Sequence, residues 1–231
     1  MINTCPRVVI MGPPGSGKST QAEILAHRLG IPYISTGDLL RFIASQNTSL
    51  GNEIKAYLDR GEIVSDDLTV QLIVTIVSKD EYKHGYVGEG FPRTVIQAEA
   101  MDSLIDYVIY IKIADSVVIK RLLSRLSCPK CGENYNLITQ PPLIQGVCDH
   151  CQTKLTSRSD DTKAIILNRL KVYHQTTEPV IAYFQSKNKL IVINGEPEVE
   201  IVSKNILNII AKCVPNKVES DSTKWGTNEA I

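Results

Sequence analysis

Gly12-Pro13-Pro14-Gly15-Ser16-Gly17-Lys18-Ser19 is the stretch on which the fold turns. It fits the spacing GxxxxGK[ST] at every fixed position. The short apolar run Arg7–Met11 (RVVIM) precedes it and reads as a buried strand. Residues 19–29 follow with helical periodicity, stopped by Gly30 and Pro32. Strand, glycine loop and helix in that order predict a phosphate-binding loop. Glycines let the backbone curl so that successive N–H groups point inward. The helix N-terminus adds the positive end of its dipole. Lys18 is placed to reach the β- and γ-phosphates, and Ser19 to offer its hydroxyl to Mg²⁺.

Working outward, Tyr33–Ser35, Tyr86–Glu89, residues 107–113 (YVIYIKI) and Leu190–Asn194 read as further strands. Helices are expected over 38–45, 50–60, 94–104 and 199–212. Asp66 or Asp67 is expected to cap a helix running to about 77, and Asp115 or Ser116 one running to about 127. A long helical stretch, 162–186, should break or kink at Pro179. Strands alternating with helices predict an α/β fold with a parallel sheet covered on both faces. The polar residues 214–231 hold the single tryptophan, Trp225, and read as a flexible tail.

The chain has 231 residues, 25 Lys plus Arg and 25 Asp plus Glu, and 43% hydrophobic residues. It is long enough to bury a full core and too apolar for a disordered acidic chain. Zero net charge argues against a nucleic-acid partner. No apolar run reaches the ~18 residues of a membrane span, and no signal-peptide pattern opens the sequence. A cytoplasmic, soluble protein is the expectation.

Cys128-Pro129-Lys130-Cys131 and Cys148-Asp149-His150-Cys151 enclose 16 residues. Two CxxC pairs at this spacing predict a tetrahedral zinc site closed by four thiolates, and therefore structural. Disulfides are the weaker reading in a reducing compartment, and His150 is an alternative fourth ligand. Cys5 and Cys213 stand outside the pairs, and His27, His84 and His174 have no ligand spacing.

Two more segments narrow the chemistry: Ser35-Thr36-Gly37-Asp38-Leu39-Leu40-Arg41 after the second strand, and Glu89-Gly90-Phe91-Pro92-Arg93-Thr94 after the third. With the glycine loop, RLLSR (121–125), RSDD (158–161) and NRLKVYHQTTEPVIAYF (168–184), they form an ordered set over residues 7–212. On these motifs the chain resembles the adenylate kinases of the nucleoside monophosphate kinase superfamily, in their long-lid, four-cysteine form.

The resemblance implies reversible transfer of a phosphoryl group from MgATP to AMP, giving two ADP. It implies a P-loop core (1–34, 65–123, 162–213), an AMP-binding insertion (35–64) and a lid (124–161). ATP would lie on Gly15, Ser16, Gly17, Lys18, Ser19 and Thr20, covered by Asn134 and Tyr135. AMP would be held by Thr36, Arg41, Arg93 and Gln97, beside the Gly90-Phe91-Pro92 turn, with Glu62, Ile63 and Val64 lining the adenine pocket. Arg121, Arg125, Arg158 and Arg169 would surround the transferred phosphate, and Glu89 would hold Mg²⁺ through water. Such a chain is expected to work as a monomer, on small nucleotides and not on nucleic acid.

Elementary chemistry agrees with that assignment. Phosphoryl transfer needs charge stabilisation and alignment more than a nucleophilic side chain. Guanidinium groups suit it, being planar, always charged and bidentate toward phosphate. Arg121 and Arg125 are four apart, so a continuous helix would put them on one face. Arg93 and Gln97 share that spacing, one suited to phosphate and the other to a base edge. Only nine of the 25 cations are arginine, and six of the nine fall at these positions.

Two residues depart from the pattern. Glu89 stands where the family usually has Asp, and Leu126 where it often has a second arginine. A kinase for UMP or CMP is the neighbouring alternative. A P-loop protein whose zinc ribbon binds nucleic acid is the more distant one. The latter is disfavoured because Arg125, Lys130, Lys154 and Arg158 are balanced by Glu133, Asp149, Asp160 and Asp161.

Overall fold

The computed structural model describes residues 5–158 and 160–213, so the expected tail with Trp225 lies outside the described residues. β1 (Arg7–Met11) leads through the glycine loop into α1 (Lys18–Leu29). Gly30 ends α1 with φ of 63°, the left-handed cap that glycine adopts without a Cβ penalty. β2 (Tyr33–Ser35), α2 (Thr36–Ala44), α3 (Ser49–Arg60) and α4 (Asp66–Val77) follow. Next come β3 (Tyr86–Glu89), α5 (Val95–Met101), β4 (Tyr107–Lys112) and α6 (Asp115–Leu123). β5 (Arg125–Ser127) and β6 (Asn134–Asn136) pair antiparallel. The chain continues as α7 (Lys163–Val172), α8 (Glu178–Ser186), β7 (Leu190–Asn194) and α9 (Val199–Cys213).

Five parallel strands form one sheet in the order β2-β3-β1-β4-β7. Side chains alternate across it, as the pleat requires. Val8 and Ile10 pack with Ala22, Leu25, Ile206 and Ile210 of α1 and α9. Val9 and Met11 face the other layer, with Ile73, Met101, Val180 and Phe184 of α4, α5 and α8. Both faces are covered, which is why β1 reads as a continuous apolar run. In register, Ile10 lies beside Glu89, and Glu89 beside Ser35. The C-terminal ends of three strands therefore converge, where open α/β sheets bind ligands.

Three local expectations change. The helix after β4 stops at Leu123 instead of near residue 127. Residues 125–127 are taken by strand pairing: Leu126 lies opposite Tyr135, and Ser127 N–H donates to Thr156 O at 2.8 Å. Arg121 and Arg125 consequently do not share a helix face. Asp66 and Asp115 are the first residues of α4 and α6, not their caps, and Ser65 and Ala114 take the cap positions. The 162–186 stretch is interrupted ahead of Pro179, by a π-helical turn at Tyr173–Thr177. Pro179 then falls in the first turn of α8, where a missing N–H costs no hydrogen bond.

Candidate active site

The glycine loop is shaped by positions that only glycine fills easily. Gly17 has φ of 87°, and Gly15, at φ 72°, has room for no Cβ, which would fall 2.9 Å from Leu122 Cγ. α1 begins with neither a side-chain cap nor an acidic residue in its first turn. Its first N–H groups are left to an external anion. Lys18 Nζ donates to Pro13 O at 3.2 Å, curled back over the loop. Desolvation lowers its pKa from 10.5 to about 8, opposed by Glu89 and assisted by Arg93, Arg169 and Arg125.

Glu89 ends β3, 5% exposed, and its Oε1 accepts from Ser35 Oγ at 2.7 Å. A hard cation such as Mg²⁺ takes carboxylate and hydroxyl oxygens, and Glu89 and Ser19 are oxygen donors of that kind. The oxygen chemistry of this donor pair fits the ion.

A cavity opens beside the loop. It is lined by Thr36, Arg41, Glu62, Ile63 and Val64 and by Gly90, Phe91, Pro92, Arg93 and Gln97, with Thr36 packed close to Gly90. Lys18 of the glycine loop and Arg169 also line it. Thr36 is 1% exposed and its Oγ1 has no hydrogen-bond partner among the described residues. A buried hydroxyl left unsatisfied is costly, and a polar ligand in the cavity would relieve it. Thr94 caps α5, its Oγ1 accepting from Gln97 N–H at 3.2 Å. Arg93 thus precedes the helix and does not share a face with Gln97. It meets Gln97 instead through its backbone, whose N–H donates to Gln97 Oε1 at 2.7 Å. The Arg93 guanidinium donates from Nε to Gly90 O at 2.8 Å.

Arginines from separate elements gather on Lys18. Arg125 of β5 forms a two-pronged pair with Asp161, both contacts at 2.7 Å. Arg169 of α7 donates to Asp160 at 3.1 Å. Arg158 bonds Ser127 Oγ at 3.0 Å and Asn134 Oδ1 at 2.7 Å. Burial, with Arg125 and Arg41 nearby, lowers Arg158 to about 10. Burial lowers Arg93 and Arg169 as well. Like charges held this close raise each other's energy, and a polyanion between them offsets it. Arg121 stands apart, donating to Glu196 O at 3.2 Å, and among the described residues Glu196 is the charged group that acts on it.

The Cys-rich segment is organised by sulfur. The Sγ atoms of Cys128, Cys131, Cys148 and Cys151 all lie within 4.8 Å of one another. Contacts of 3.3, 3.5 and 3.6 Å are far beyond a disulfide bond of ~2.05 Å. They approach the ~3.8 Å edge of a tetrahedron with Zn–S bonds of ~2.3 Å. His150 is outside the cluster, 3.8 Å from Glu133. Tyr135 is 5% exposed, and its hydroxyl accepts from Asp149 N–H at 2.8 Å and contacts Cys148 Sγ. Its side chain is spent inside this segment, while Asn134 holds Arg158.

Several residues on which the site depends escaped sequence reasoning. Ser35, Asp66, Asp160, Asp161 and Thr177 hold Glu89, Gln97, Arg169, Arg125 and the Arg93 carbonyl in turn. Asp160 and Asp161 carried a signal: two adjacent carboxylates that begin two positions after Arg158 in a cation-rich constellation. The others are single polar residues with none.

Known proteins place the chain among its relatives. The family model described as adenylate kinase matches residues 10–189. The adenylate kinase of Thermosipho africanus (strain TCF52B) is 43% identical over 212 residues, covering 89% of this chain and 99% of that one. That of Clostridium tetani (strain Massachusetts / E88) is 39% identical over 210 residues, covering 88% and 97%. That of Acetivibrio thermocellus is 37% identical over 212 residues, covering 89% and 98%. With the glycine loop, cavity and cation cluster in place, the chain belongs to the adenylate kinase family.

Proposed function

We propose that this chain transfers the γ-phosphoryl group of ATP to AMP, reversibly and with Mg²⁺, giving two ADP. The observation that carries the proposal is the gathering of Arg93, Arg125, Arg158 and Arg169 with Lys18, at the glycine loop and the cavity beside it. A donor and an acceptor phosphate brought to such a cluster are aligned and neutralised together.

In this reading the N–H groups of Gly15, Ser16, Gly17, Ser19 and Thr20 cradle ATP, and Lys18 holds the phosphate that moves. Thr36, Arg41 and Arg93 bind the AMP phosphate, and Gln97 meets the base above the Glu62–Val64 backbone. Arg125, Arg158 and Arg169 stabilise charge on the transferring group. Arg121 would join them only after leaving Glu196. When bound, Mg²⁺ neutralises phosphate charge, and Ser19 and Glu89 would hold it. Residues 124–161 act as a lid over the AMP insertion and core, excluding the water that would otherwise accept the phosphoryl group. Zinc on the four cysteines gives this small lid its fold.

The protein is assigned as a monomer acting in the cytoplasm on ATP, AMP and ADP, without a nucleic-acid partner. Among the described residues no helix is long and apolar enough to cross a membrane. A coupled assay of ATP with AMP, UMP, CMP and GMP tests the proposal. AMP should be preferred by orders of magnitude, and equal or greater turnover with UMP or CMP would reject it. Elemental analysis should find zinc, and retardation of labelled RNA or DNA should be absent.

A further inference from the structure

Gln97 is 0% exposed, and its amide is held at both ends. The Arg93 N–H donates to Oε1 at 2.7 Å. Nε2 donates to Asp66 Oδ1 at 2.9 Å. The same Asp66 oxygen accepts from Thr94 Oγ1 at 2.8 Å. A backbone N–H only donates, and an ionised carboxylate only accepts. The amide therefore has one orientation, oxygen toward Arg93 and nitrogen toward Asp66. The reverse would oppose N–H to N–H and carbonyl to carboxylate.

We infer that Asp66, through this bond, sets the base specificity of the acceptor site. The inference rests on the reading that Gln97 meets the acceptor base. With one bond made at each end, Oε1 retains a lone pair and Nε2 a hydrogen. Together they form an edge with an acceptor beside a donor. Adenine offers the matching pair, an amino donor beside a ring-nitrogen acceptor, which glutamine amides read bidentately. Hypoxanthine reverses that pair at its six-membered ring: O6 accepts and N1–H donates. It would need the flipped amide, which the Arg93 N–H and Asp66 each oppose, so losing Asp66 removes one of two restraints. Asp66 acts through Gln97 and is a positioning residue. It lies in the first turn of α4, 31 positions from Gln97 in sequence and only partly buried, so its replacement opens no core cavity.

The test compares kcat/KM for AMP and for inosine monophosphate at saturating ATP. It uses the parent, Asp66→Ala, Asp66→Asn and Gln97→Leu, with a melting curve for each. Asp66→Ala should shrink the AMP-to-IMP ratio about tenfold, the worth of one well-made hydrogen bond to a charged group. Asp66→Asn still presents an acceptor oxygen and should keep the ratio near the parent's. Proportional loss on both substrates in Asp66→Ala, leaving the ratio within about twofold of the parent, would overturn the inference. If Gln97→Leu also leaves the ratio unchanged, the placement of Gln97 at the base fails as well. If Gln97→Leu collapses the ratio and Asp66→Ala does not, only the role of Asp66 fails. Asp66→Ser repeats the measurement should the alanine variant melt below the assay temperature.

Discussion

Arg125 and Asp161 lie 36 positions apart and meet through two parallel contacts of 2.7 Å, with the Asp161 side chain 2% exposed. Asp161 also lies 3.5 Å from Arg169. One buried carboxylate thus orients two of the cations assigned to the transferring phosphate. Asp161→Ala leaves Arg125 charged and largely buried without its partner. Stability should fall by about 2 kcal/mol, read by denaturant titration. Turnover should fall with it, more than the affinity for either nucleotide. Unchanged stability would show that solvent compensates Arg125 fully.

Burial disfavours the charge of Lys18 and pushes its pKa down to about 8. The protonated form is the one that binds phosphate. ATP affinity should therefore decline as pH rises through 8, by up to about tenfold per unit above it. Calorimetric titration of ATP from pH 7 to 9.5 measures this. Lys18→Arg should flatten the profile, and Lys18→Ala should abolish transfer.

Glu89 is buried and tied to Ser35 at 2.7 Å, so its carboxylate is placed in advance. Glu89→Gln keeps the shape and removes the charge. We expect turnover to fall by about a hundredfold, the scale of losing one preorganised electrostatic contact, with nucleotide binding changed far less. Steady-state kinetics over a range of Mg²⁺ concentrations, beside binding titrations, separates the two.

Removing metal from the four cysteines should unfold the segment around them. The small cluster of Cys128, Tyr135, Cys148 and Leu155 is too small a core to hold by itself. A thiol-displacing reagent with a chelator should lower the melting temperature and expose residues 125–156 to protease. An unchanged melting temperature after proven metal loss would reject the structural role.

His174 bridges Asp115 and Glu178, both contacts at 2.9 Å, and these two partners raise its pKa above 6.5. A raised histidine pKa adds stability that is complete below the unfolded value and is lost as pH rises through the folded one. Stability should therefore decline slightly from pH 6 to pH 8. All three groups are roughly half exposed, so screening limits the effect to about 0.5 kcal/mol. His174→Gln should remove this slope in melting curves across that range.

Much of the core was legible because local rules and tertiary context agree there. The buried runs RVVIM and YVIYIKI became β1 and β4, and Gly30 ended α1. The stretch after β4 was not, because residues 124–127 suit either a helix or a strand. Pairing with β6 and the backbone of Thr156 selected the strand. Asp66 was misread for a related reason. An acidic residue in a helix's first turn satisfies the dipole anywhere, and nothing local says that a residue 31 positions away claims it.

Sequence alone determined the glycine loop, the alternation that demands a parallel sheet, and the four-cysteine site. Each is set by neighbours within a few residues or by ligand spacing, and backbone sterics act over that range. Tertiary structure decided which cations gather and how they are held. It drew Arg125 and Arg169 to Asp161, turned Tyr135 inward, left Arg121 on Glu196, and locked the Gln97 amide between Arg93 and Asp66. Those outcomes depend on hydrogen-bond directions and Coulomb distances of a few ångströms between distant parts of the chain. Only the closed fold brings such atoms within reach.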